Sequence, residues 1–168
     1  SCAGTGRLYI TEDEFTKEKN SNMEARYNAE ESPGVFYDRY YLSVTYVKQL
    51  GKDEPVTMYL KLHGFPENPG QPNGQAMVKI NGTPYTLQLL NPKVEVDYVS
   101  GQTMQQTGFY HGTVYRRITA KALITKELEE ALSKATEVSM RFYAGTTPVT
   151  VKVPAKDLMR VKELLAAK

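Results

Sequence analysis

The chain has 168 residues, 40% hydrophobic and 24% charged, with a formal net charge of +2. That length supports one domain with a sizeable core, and interspersed, nearly balanced charge argues against a nucleic-acid groove, which needs a concentrated basic face. No apolar run approaches the length that crosses a bilayer. The single cysteine, Cys2, excludes an internal disulfide and any metal site built from several thiolates.

Residues 1–6 are small and polar and read as a tether, leaving 7–168 as a single β-sandwich-like domain. Leu8-Tyr9-Ile10 suits a short strand. Thr11-Glu12-Asp13-Glu14 matches a capping box and predicts a helix over 12–19, with a solvated edge segment as the competing reading because no apolar stripe follows Phe15. Residues 23–27 fit an edge strand, and Pro33 breaks the link that follows. Over 40–47, Leu42, Val44 and Tyr46 alternate with Tyr41, Ser43 and Thr45. After a turn at 51–55, Val56, Met58, Leu60 and Leu62 alternate with Thr57, Tyr59, Lys61 and His63. A period of two marks a strand with one buried face, so these runs predict an antiparallel pair.

The stretch 64–75 has three Pro and three Gly and reads as a loop, since Pro removes donors and Gly permits positive φ. Ala76, Val78 and Ile80 make the next strand, and Asn81-Gly82 signals a type I′ hairpin leading to Tyr85, Leu87 and Leu89. Asn81-Gly82-Thr83 also spells a glycosylation acceptor, but the turn accounts for it. Asn91-Pro92 turns the chain into Val94, Val96 and Tyr98, which alternate with Glu95 and Asp97; 100–106 is polar and Gly-flanked.

From 113 to 124 the chain alternates again, with Ile118, Ala120, Ala122 and Ile124 opposite Arg117, Thr119 and Lys121. Thr125 offers a cap and Glu127 sits in the first turn of a predicted helix over 126–134, whose stripe is Leu128, Ala131, Leu132 and Ala135. Val138, Met140, Phe142 and Ala144, a turn at 145–148, then Val149, Val151 and Val153 read as a hairpin. Pro154 and Asp157 open a last helix with Leu158, Val161 and Leu165 inward and Met159 and Leu164 widening that face. Roughly eight to ten strands joined by short links predict a mainly β protein: an antiparallel β-sandwich or strongly bent sheet, with one crossing helix and one C-terminal helix. An α+β arrangement is the alternative.

The last third resembles the C-terminal part of many uncharacterised bacterial secreted and lipoprotein domains. The likeness rests on a short helix after a strand, a strand with a central Arg141, a glycine turn, a Val-rich strand and a final helix opened by Asp157-Leu158. It implies a fold and an extracytoplasmic address, and carries no active site to transfer. Ser1-Cys2-Ala3-Gly4 resembles the junction at which bacterial lipoproteins are cut before an acylated cysteine. That resemblance implies a lipid on Cys2 and, from Ala3 rather than Asp after it, an outer-membrane destination where the cell has one. A free thiol at a frayed terminus is the plainer alternative.

Chemistry is sparse. No G-x-S-x-G elbow, P-loop or dinucleotide fingerprint occurs, and no cofactor is expected. His63 and His111 each adjoin a glycine at a strand end; a zinc site using both plus an acid is conceivable but disfavoured against plain exposure. Glu95 and Asp97 share a strand face, as paired carboxylates for glycoside hydrolysis would, yet they equally make a wet face. The twelve tyrosines, with no tryptophan, suit half-buried surfaces where rings pack and hydroxyls stay wet. Tyr37, Tyr40 and Tyr41 cluster beside Arg39. The candidate partner-binding residues are Tyr59 and His63 on one strand face, Phe65 and Asn73 on the Pro/Gly loop, and Phe109, Tyr110 and His111 at a strand end. Singly, each of these rings has padding of the sheet as its bland explanation.

The sequence therefore predicts a non-enzymatic cell-envelope lipoprotein domain, membrane-anchored through Cys2, that presents loops or a Tyr-rich sheet face to a protein or glycan. The alternatives are a small envelope hydrolase acting on glycans and a structural accessory subunit with a self-complementary sheet edge.

Overall fold

The computed structural model describes residues 6–32, 39–103 and 110–168, and side chains within these except at 100–111. The elements in order are β1 (Arg7–Glu12), β2 (Lys19–Asn28), β3 (Tyr41–Gln49), β4 (Val56–Phe65), β5 (Gln75–Ile80), β6 (Thr83–Gln88), β7 (Leu90–Thr103), β8 (Tyr110–Ile124), α1 (Lys126–Ser133), β9 (Val138–Ala144), β10 (Thr147–Lys152) and α2 (Ala155–Ala166). They form a six-stranded sheet in the order β1-β2-β3-β4-β8-β7 and a four-stranded sheet in the order β10-β9-β5-β6. Every strand pairing is antiparallel, so the chain is a mainly β protein of sandwich type.

Alternation explains the layers. Leu42, Leu60, Leu62 and Ile118 on one sheet bury against Leu89 and Phe142 from the other side. The partners of the small sheet, Ala76, Val78, Met140, Val149 and Val151, are equally buried. Both helices close the same end of the sandwich. Leu128 and Leu132 of α1 and Leu158 and Val161 of α2 meet Tyr46, Met58, Ile124, Val138 and Met140 in one apolar seam. Thr125 caps α1 by accepting from the Leu128 N–H at 3.3 Å. The α2 C-terminus is satisfied by Lys48 Nζ donating to the Leu165 carbonyl.

Three connections carry the chain between sheets. Residues 66–74 cross from β4 to β5, and Pro72 bridges Ala144 on the way. A corner at Leu89 returns it to β7, and α1 takes it from β8 to β9. At Asn81-Gly82 both residues have positive φ, 48° and 85°, as a type I′ turn requires. The Asn81 Oδ1 also accepts from the N–H groups of Thr136 and Glu137, tying this hairpin to the exit of α1.

Four expectations are corrected. Residues 12–19 form no helix: β1 and β2 are a hairpin, and the Asp13 carboxylate accepts from the Phe15 and Thr16 N–H groups within its turn. Those two donors hold the Asp13 carboxyl below its usual range. Capping chemistry thus serves a turn where no apolar stripe exists to hold a helix on the sheet. The 23–27 strand is longer than expected and lies inside the sheet, between β1 and β3. Asn91-Pro92 falls within β7 rather than in a turn, and β7 runs on through the polar 100–103, with register shifts at 90–93 and 96–98. Gly6 belongs to the folded body: it is buried, and its N–H donates to Asp157 Oδ1 at 3.2 Å. Cys2 and the rest of the tether lie outside the described residues.

Candidate functional site

The outer face of the six-stranded sheet is organised in registered rows, and three neighbouring ones are rich in polar and charged residues. One runs Arg7, Glu24, Thr45, Tyr59, Lys121. The next runs Arg26, Ser43, Lys61, Thr119, Lys93. The third runs Asn28, Tyr41, His63, Arg117, Glu95. Cross-strand neighbours on one face stand about 4.5–5.5 Å apart, so each row is a band of interacting side chains.

The third row is internally satisfied. Arg26 Cζ lies 3.6 Å above the Tyr41 ring, which stacks on His63 with centroids 4.5 Å apart and 10° between planes. His63 Nδ1 is 2.6 Å from Asp97 Oδ2. Arg117 donates to Asp97 Oδ1 at 3.0 Å and to Glu95 Oε2 through Nε and Nη2 at 3.2 and 3.1 Å. Lys93 adds a 2.9 Å ion pair to Glu95. The Lys93 ammonium first, then the Arg117 guanidinium, hold the Glu95 carboxyl below the usual carboxylate range.

Two bulges build this arrangement. Asp97 is the unpaired residue where the β7 register jumps between Val96 and Tyr98, which aims its carboxylate at His63 and Arg117. Gly64, with φ +104°, is the unpaired residue between His63 and Phe65. It reverses parity, so His63 stays on the outer face while Phe65 turns into the core.

The other two rows differ. Their β1 to β4 members line a hollow of about 540 Å³ whose walls include Arg7, Arg26, Ser43, Thr45, Tyr59 and Lys61. Tyr59 is 43% exposed, with Lys121 Nζ 5.2 Å from its ring centroid. Glu24 Oε1 accepts from the Tyr9 hydroxyl at 2.8 Å. Among the described residues, the ion pairs involve none of Arg7, Arg26, Lys61 and Lys121.

Tyr59 and His63 lie on this same face but two rows apart, and His63 is only 8% exposed. Phe65 heads no exposed aromatic patch: it is 3% exposed and stacks on Tyr40 at 4.8 Å, because the Gly64 bulge turns it inward. Asn73 is spent locally, its Oδ1 accepting from the Gln75 N–H at 3.2 Å. Tyr110 and His111 open β8 opposite Thr103 and Gln102, with side chains outside the described residues; Phe109 and Tyr37 lie wholly outside them. His63 pairs with Arg117, six residues along β8 from His111, about 20 Å of strand, so the two histidines do not share a metal. Among the described residues no group of three His, Cys, Asp or Glu is placed to hold one. Glu95 and Asp97 are not simply a wet face, since both are ion-paired and the Asp97 side chain is 12% exposed.

Sequence reasoning missed Arg7, Arg26, Lys61 and Arg117. The signal for Lys61 was present, because it shares parity with Tyr59 and His63 on β4. Nothing local told that β2, β3, β4 and β8 would stand in that order in one sheet. A second hollow, about 740 Å³, lies against Tyr40, Phe65, Glu67, Asn68, Thr113 and Gly145. Among the described residues its lining has one carboxylate, Glu67, and no cation. No family model, curated protein or solved structure matches this chain.

Proposed function

We propose that this chain is a non-enzymatic binding module of the cell envelope, anchored by a lipid on Cys2, that receives its partner on the Tyr59 side of the six-stranded sheet. The observation that carries this reading is the set of four cations, Arg7, Arg26, Lys61 and Lys121, left without ion pairs around a half-exposed ring. Lys61 and Lys121 are diagonal neighbours across β4 and β8, which sets two like charges within reach of one another. A fold with no use for that face has no reason to gather them. The lipid anchor is supported by the Ser1-Cys2-Ala3-Gly4 junction and by the avoidance of cysteine elsewhere.

The glycan-hydrolase alternative has less support. A general acid must hold its proton near neutral pH, whereas Glu95 is drawn downward by Lys93 and Arg117 and Asp97 is engaged by two partners. The accessory-subunit alternative draws on β7, a sheet edge with Val96 59% and Val99 51% exposed. Pro92, Lys93 and the two register shifts on that strand are devices that discourage edge pairing.

The test compares wild type with Tyr59→Ala/Lys61→Glu on glycan and peptide arrays, after both give the same urea midpoint. Loss of the wild-type signals is expected, and an unchanged profile removes the sheet face from the reading. Mass analysis of the native N-terminus is expected to find acyl chains on Cys2; a bare thiol there removes the anchor. A sedimentation mass of two or more chains would favour the accessory subunit.

A further inference from the structure

Resting on the sheet-face reading above, we infer that the ligand is an anionic polysaccharide, with carboxylates or sulfates met by Arg7, Arg26, Lys61 and Lys121 and a sugar ring lying on Tyr59. Charge gives the sign. Around the hollow four cations stand against one carboxylate, Glu24, which already accepts the Tyr9 hydroxyl. The excess is local: the neighbouring row neutralises Arg117 with two carboxylates of its own.

Placement gives the size. The cations do not converge on a point as they would for a phosphate or a single small acid. They run from β1 through β2 and β4 to β8, four strand spacings, or about 19 Å. A ligand that satisfies all of them is extended and repeats its charge.

The remaining groups select among extended polyanions. Strand-addition peptides bind through backbone hydrogen bonds at an open edge, but three of the four strands beneath the hollow, β2, β3 and β4, are paired on both sides, and only the outer side of β1 is open. Recognition across β2, β3 and β4 uses side chains alone, so the ligand must bring many donors and acceptors of its own. The Ser43 and Thr45 hydroxyls lie between the cations and can both give and accept bonds to sugar hydroxyls. Single-stranded nucleic acid is read by successive aromatic platforms, whereas the hollow has one, Tyr59. One ring with a polar tip suits a pyranose face and leaves its equatorial hydroxyls to the neighbours.

The experiment measures binding of the full chain to immobilised polygalacturonate, dextran sulfate, neutral dextran and poly-L-glutamate at several salt concentrations. The expected result is binding to at least one of the two charged glycans, weakened about ten-fold or more between 50 and 300 mM salt. Lys61→Ala and Arg7→Ala each lower affinity about two- to five-fold, and Arg7→Ala/Lys61→Ala/Lys121→Ala abolishes binding. Lys156→Ala, on α2, binds as wild type. Equal binding to neutral dextran overturns the anionic class while leaving the sheet face as the site, provided the triple variant loses it. Equal binding to poly-L-glutamate overturns the sugar class in the same way. Binding that survives the triple substitution, or no binding to any of the four polymers, overturns the inference; survival also removes the sheet face itself.

Discussion

Asp97 ties β7 to the rest of the outer face, and replacing it measures what the bulge contributes. Asp97→Ala removes the 2.6 Å contact with His63 and the 3.0 Å bond from Arg117. The Asp97 and His63 side chains are 12% and 10% exposed, so water does not fully replace what is lost. Arg117 keeps both bonds to Glu95 and is not orphaned. A hydrogen bond to a charged group contributes about 1.5–3 kcal/mol, and an unsatisfied buried partner adds a desolvation cost; the retained Arg117–Glu95 pair brings the expected loss to about 2–3 kcal/mol. For a chain of this size that is a fall in Tm of roughly 4–12 °C. Glu95→Ala, at a 31% exposed side chain where water screens the ion pairs, should cost less than Asp97→Ala. Urea unfolding of wild type, Asp97→Ala, His63→Ala and the double variant gives the coupling directly. We expect about 1–2 kcal/mol of non-additivity between Asp97 and His63. Additivity within about 0.3 kcal/mol, or an Asp97→Ala loss smaller than that of Glu95→Ala, would refute the account of the bulge.

Three further outcomes test the same structure. Gly64→Ala forces a side chain into φ +104° with its Cβ 3.3 Å from Tyr40 Cα and 3.4 Å from the Arg39 carbonyl oxygen; thermal unfolding should show a loss of about 2–3 kcal/mol, and a neutral result would mean the bulge relaxes freely. Thr119 Oγ1 is buried without a hydrogen-bond partner, so the isosteric Thr119→Val should stabilise the chain by about 1 kcal/mol in urea titrations; a loss would show that the hydroxyl has a role. Burial pushes the Tyr46 phenol up to about 12, and burial, then Tyr46, pushes Tyr27 upward as well. Both neutral phenols are favoured by folding, so their contribution is whole below the ordinary value near 10 and is lost as pH rises through the folded value. The urea midpoint of wild type should fall between about pH 10 and 12, and Tyr27→Phe/Tyr46→Phe should flatten that limb; parallel profiles would show the two phenols are not responsible.

Local chemistry made much of the fold legible. The alternations around Leu42, Leu60, Val78, Ile118 and Val151 each place a strand, because burying one face needs nothing beyond the strand's own period. Asn81-Gly82 and Thr125 likewise act within a few residues of themselves. The 12–19 segment misled because Asp13 offers the same side-chain acceptor to a turn as to a helix, and only an apolar stripe tells them apart. Tyr59 and His63 were readable as sharing a face, since both have the same parity on β4.

What the tertiary structure alone decided was adjacency and facing. β4 neighbours β8 rather than β5, and that choice sets Arg117 beside His63 and Lys121 beside Tyr59. The choice depends on how two sheets share one core, a property of the whole set of strands. Gly64 and Asp97 then each add one unpaired residue, and one residue suffices to send Phe65 inward and to aim a carboxylate across to a partner 34 positions away. The sequence by itself determined which residues alternate. The order of the strands and the place of the bulges decided which alternating residues meet, because hydrogen-bonded ladders join segments distant along the chain.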